Sequence, residues 1–165
     1  MLCYLDGVPT YVGQSTDGIR ARVARHLTSA RSDVIVNRQL DVWEVAYVQA
    51  YPVENRAEIT PLEPALIHHF EAKSSLINGR MPPKSIEHFA IPSPAQVVQV
   101  LSDAEINTRK DPVHRLPRQA EHYARMVDHF LTVTNPREIA RAMQAHFQRL
   151  AKYHGSLLRT AVDEE

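Results

Sequence analysis

The chain holds a single cysteine, no surplus of either charge, no long apolar run and no internal repeat. A lone Cys3 cannot close an intrachain disulfide and points to a reducing compartment. No stretch approaches the eighteen or so apolar residues of a membrane span, so no membrane partner is expected. The N-terminus opens on strand-like Leu2 to Leu5, without a basic region or an adequate apolar core for a signal peptide. These absences together make a cytoplasmic protein the expectation. The 19 basic residues are matched by 19 acidic ones, which argues against a nonspecific, high-affinity nucleic-acid coat. Any phosphate binding must come from local patches, or from metal ions offsetting carboxylates.

With 165 residues, 44% hydrophobic and 23% charged, the chain suffices for a small domain plus a helical extension. Residues 2–6 and 9–15 read as strands joined through Asp6-Gly7, a favoured hairpin pair, with Pro9 opening the second. Asp17 suits a helix N-cap, and Ile19, Val23 and Leu27 then form one apolar stripe. Residues 41–51 alternate as a strand. A second helix is expected over 54–72, begun anew at Thr60-Pro61-Leu62-Glu63, with Leu66, Ile67 and Phe70 inward. Residues 76–79 read as a short strand or loop. The resulting order is β-β-α-β-α-β.

Pro82-Pro83 interrupts this pattern, since neither residue continues a helix or a central strand readily. The expected division is a domain over 1–81, a Pro-rich linker over 82–92 and a helical extension over 93–165. In the extension, Ser93-Pro94 reads as a helix start burying Val97, Val98, Leu101 and Ala104. Residues 117–133 read as an amphipathic helix with Tyr123, Ala124, Val127, Phe130 and Leu131 inward. Its other face carries Arg118, His122, Arg125 and His129. A last helix starts at Asn135-Pro136 and runs to about Arg159, with Ile139, Met143, Phe147, Leu150 and Tyr153 inward.

One stretch stands out chemically. Tyr4 and Tyr11 precede a glycine-containing turn, and Arg22 and His26 follow four residues apart, on one helix face. Such a cluster suits work on a phosphate. Each member also has a plain structural role available: cross-strand tyrosines, a Thr60-Glu63 capping box, an Asn78-Gly79 turn. The ordered set Leu2-Cys3-Tyr4, Tyr11-Val12-Gly13, Arg22, His26, Glu63 and Asn78 resembles the signature of the GIY-YIG nucleases over roughly residues 1–80. Leu2 and Cys3 depart from the first two letters of that signature. Gln14 stands where relatives often have Lys or Ser.

The resemblance implies an α/β domain with a mostly antiparallel sheet flanked by helices, and a metal-dependent DNA endonuclease of restriction or mobile-element type. It implies one Mg²⁺ or Mn²⁺ ion held by Glu63. Arg22 would hold the phosphate, and Tyr4 would activate water with His26 relaying the proton. Tyr11 and Asn78 would position the phosphate, and Gly13 would let backbone approach closely. Arg118 and Arg125 of the extension could then track the DNA backbone, and a homodimer would allow both strands to be cut. The competing class is a non-catalytic DNA-binding or protein-interaction module on the same fold. An RNA-directed nuclease or a toxin is a weaker third reading.

Overall fold

The computed structural model describes residues 1–16, 18–28, 39–84, 90–132 and 137–163. The expected caps at Asp17 and Asn135-Pro136 lie outside these residues. Four short strands form one antiparallel sheet: β1 (Leu2–Tyr4), β2 (Pro9–Tyr11), β3 (Val45–Ala50) and β4 (Gln96–Gln99), in the order β2-β1-β3-β4. Five helices are described: α1 (Ile19–Thr28), α2 (Ile59–Glu71), α3 (Asp103–Lys110), α4 (Pro112–Thr132) and α5 (Arg137–Asp163). The mixed α/β character and the helical C-terminal part are as expected.

The β1–β2 turn follows from Asp6-Gly7. Gly7 sits at φ +70°, and its N–H donates to Tyr4 O at 2.8 Å while Tyr4 N–H donates to Val8 O at 3.0 Å. That φ is open to glycine at little cost. Both strands are shorter than their sequence patterns. Residues 42–44 wind instead into a 3₁₀ turn, capped by Asp41, whose carboxylate accepts from Trp43 N–H at 3.2 Å. Residues 76–79 form no strand, although Ile77 N–H donates to Thr10 O at 2.9 Å.

The segment after Ser93 corrects the expected helix. Residues 96–99 are strand β4, with Val97 opposite Gln49 and Val98 opposite Val48. All four of its side chains are exposed. Adjacent β-branched valines fit the free edge of β3 better than a helix interior. The helix starts later, where Ser102 and Glu105 form the capping box of α3. Of that helix only Ile106 is buried, and Ala104 is exposed.

The face of α4 also differs from expectation. Its buried positions are Arg115, Gln119, His122 and Met126, spaced as one helical stripe, while Leu131 is 76% exposed. On α5, Ile139, Ala142, Ala145, His146 and Arg149 are buried, and Phe147 is half exposed. The cause is the surface these helices meet. The sheet side presents buried carboxylates, Glu44 and Asp41, and a buried charge must be paired. Arg115 meets Glu44 with two parallel bonds, Nε to Oε1 at 3.0 Å and Nη2 to Oε2 at 2.7 Å. Its Nη1 reaches Asp6 at 2.8 Å, and Arg118 pairs with Asp41 at 3.1 Å. Apolar residues are displaced to the flanks.

One core cluster joins Leu2, Tyr4, Val45 and Val48 of the sheet to Met126 of α4 and to Ile139, Ala142 and Ala145 of α5. Residues on both sides of Pro82-Pro83 therefore share a core. A second cluster packs Val12 and Leu76 against Leu62, Leu66, Ile67 and Phe70 of α2.

Candidate functional site

The loop leaving β2 is fixed by a side chain acting as a strand. Asn78 Oδ1 accepts from Val12 N–H at 3.0 Å, and its Nδ2 donates to Val12 O at 2.7 Å. Both backbone groups of a buried residue are thereby satisfied without a neighbouring strand. Next in the loop, a Cβ on Gly13 would lie 2.8 Å from Tyr11 Cε1 and 3.0 Å from its hydroxyl. A side chain there would push aside the Tyr11 ring, which folds back over Gly13. The ring meets His26 edge-on, with centroids 5.2 Å apart. Arg22 Nη2 donates to Tyr11 Oη at 3.4 Å.

Glu63 approaches from α2. Its Oε1 accepts from Gln14 N–H at 3.0 Å, which ties the loop to the helix. The capping-box role available to Glu63 is not used, because α2 already begins at Ile59. The 3₁₀ turn before it, Arg56–Glu58, is capped by Asn55, whose Oδ1 accepts from Ala57 N–H at 3.0 Å. Burial pushes the Glu63 carboxyl above its ordinary pKa, opposed by the Gln14 amide and the Arg22 charge. Tyr11, Gly13, Arg22, His26 and Glu63 together line a cavity of about 480 Å³. Leu2, Tyr51, Val53 and Leu62 supply its apolar wall.

Tyr4 does not join them, which corrects its expected role. It is fully buried in the core, and its hydroxyl accepts from Asp41 N–H at 3.2 Å. His146 lies 6.2 Å from its ring and the Arg149 guanidinium 5.1 Å, both from α5. Burial raises its phenol pKa far above the ordinary value. A hydroxyl so enclosed cannot meet a water in the cavity. Asn78 acts through the loop it holds. Arg118 and Arg125 are not among the residues around the cavity, and each has a carboxylate partner, Asp41 and Glu121 respectively. His122 is buried between α4 and α5, 4.7 Å from His146, so the expected four-residue cationic stripe is divided.

Among the described residues no three His, Cys, Asp or Glu side chains cluster to hold a metal. An Mg²⁺ ion asks for less: one or two carboxylates, with waters and phosphate oxygens completing the octahedron. Glu63, with Glu54 also on the cavity wall, fits that donor set. Two nearby arginines had no motif to mark them. Arg25 follows Arg22 by three residues, a spacing that could have drawn it in. Arg56 precedes α2 with no comparable signal. Comparison of the chain with protein-family models, with curated proteins and with solved structures finds no match in any of the three.

Proposed function

We propose that the protein is a metal-dependent DNA endonuclease with a catalytic site of GIY-YIG type. One observation carries the reading: Tyr11, Arg22, His26 and Glu63, from three separate elements, converge on a single cavity. The succession β1, β2, α1, β3, α2, with Asn78 following, supports the same family topology.

Within this reading Arg22 holds the scissile phosphate, its planar fork matching two phosphoryl oxygens and offsetting the charge that grows during attack. Tyr11 replaces Tyr4 as the tyrosine at the water. Arg22 donates to the Tyr11 oxygen, so within this pair the phenol is the acceptor. His26, against the same ring, receives or relays the proton taken from the attacking water. Glu63 would hold a divalent ion, which when bound supplies Lewis-acid polarisation of the phosphoryl group. Gly13 and Asn78 keep the Tyr11 ring and the loop in place.

Supercoiled plasmid incubated with and without Mg²⁺ tests the proposal. Nicked or linear products are expected only with the ion, and should be lost in Glu63→Gln while thermal stability stays near that of the parent. Metal-independent products, or full activity in Glu63→Gln, would sink the metal assignment. DNA binding with no cleavage in any divalent ion would favour the non-catalytic module.

A further inference from the structure

Beside the main cavity lies a second one of about 330 Å³, and its lining is cationic and hydroxylic. The loop after β2 contributes Ser15 and Thr16, α1 contributes Arg22 and Arg25, and the start of α2 contributes Arg56 and Thr60. Among the described residues no carboxylate lines it, and neither Arg25 nor Arg56 is in an ion pair. Three guanidinium groups facing one cavity repel each other, a cost a bound anion would remove. In a chain of zero net charge the concentration is local. Arg22 lines both cavities, so the two share a wall.

From this we infer that the second cavity binds a backbone phosphate next to the scissile one on the same nucleic-acid strand, with Arg25 and Arg56 as its ligands. The inference rests on the nuclease reading for the neighbouring cavity. Its chemistry is that of a phosphodiester: a compact anion with two unesterified oxygens, which arginine forks meet in paired hydrogen bonds. Two adjacent phosphates held at once would fix the register of the strand across the site.

Binding of a fluorescent duplex oligonucleotide, measured without divalent ions over a range of salt, tests this apart from cleavage. Arg25→Gln/Arg56→Gln should bind more weakly and flatten the dependence of log K on log salt by about 0.9, the release expected for one lost duplex phosphate contact. Lys110→Gln, on α3 away from both cavities, is the control for general charge loss and should leave the slope unchanged. An unaltered slope in the double variant, an equal change in the control, or no DNA binding by the parent protein would overturn the second site. If the slope falls as expected but the parent cuts no plasmid, the phosphate site stands and the nuclease reading fails. If the parent cuts and the slope is unmoved, the reverse holds.

Discussion

Two tyrosines of one hairpin have opposite fates, and the difference of seven residues in sequence hides it. Tyr4 is sealed beneath α5, whereas Tyr11 folds over Gly13 toward the cavity. A period-two pattern assigns faces only within an unbroken ladder. The β1–β2 register shifts between Leu2 and Cys3, so counting along the sequence fails to place the two rings. Tyr11→Phe is therefore expected to lower the cleavage rate by about 10²-fold, the usual scale of a lost proton-transfer group, with little change in melting temperature. Tyr4→Phe should keep the rate and destabilise by about 1 kcal/mol, since Asp41 N–H loses its acceptor. Parallel plasmid assays and thermal melts on the two variants check both halves, and a reversed pattern would restore Tyr4 to the water. Arg22 and Glu63 lie on helices where the sequence pattern leads one to expect them, α1 and α2. The backbone bond from Gln14 that holds Glu63 was not legible, since nothing in a side-chain pattern marks an amide.

Elements were legible where an apolar stripe met an apolar surface, as with Leu66, Ile67 and Phe70 of α2. They were misread where the surface was charged. The buried α4 stripe of Arg115, Gln119, His122 and Met126 is polar at three of its four positions, and His122 among them is expected on the outward face. Its partner carboxylates, Glu44 and Asp41, are distant in sequence and give no local sign. The same limit hid β4, whose partner edge on β3 lies nearly fifty residues earlier. Burial raises the Glu44 carboxyl pKa, and the Arg115 hydrogen bonds and charge oppose that rise. Removing one partner of such a pair leaves an uncompensated buried charge. Arg115→Met should accordingly cost about 3–5 kcal/mol in urea unfolding. Arg115→Met with Glu44→Leu should recover much of the loss. A single variant as stable as the parent would show that Glu44 finds another partner.

At the scale of the whole molecule, the neutral net charge conceals an interior rich in ionisable groups. His146 is fully buried, donates from Nε2 to Gln39 O at 2.8 Å, and faces His122 and Arg149. Burial first, then the nearby His122 and Arg149, pushes its pKa down to about 3, against the hydrogen bond to Gln39. Unfolded, the same group takes a proton near pH 6.5. Between those values the unfolded chain binds more protons, so stability from this residue is present above about pH 6.5 and is lost as pH falls toward 3. The raised carboxyls of Asp41 and Glu44 act in the opposite sense over the pH range just above their ordinary pKa values. Comparing urea midpoints of the parent and His146→Gln from pH 7 to 4 isolates the histidine. The parent should lose stability relative to the variant by up to about 1.4 kcal/mol per pH unit, and parallel curves would refute the assignment.

The core that runs from Leu2 and Tyr4 to Met126 and Ile139 carries a consequence for inheritance. A catalytic module that closes on itself can be shuffled between genes and fused to new targeting segments. Here the strands beneath the cavity are roofed by helices encoded more than a hundred residues downstream of the first hairpin. Cutting the gene after the Asn78 codon would deliver every residue of the proposed phosphate chemistry and none of its roof. Recombination could exchange this site only together with the helices that follow it.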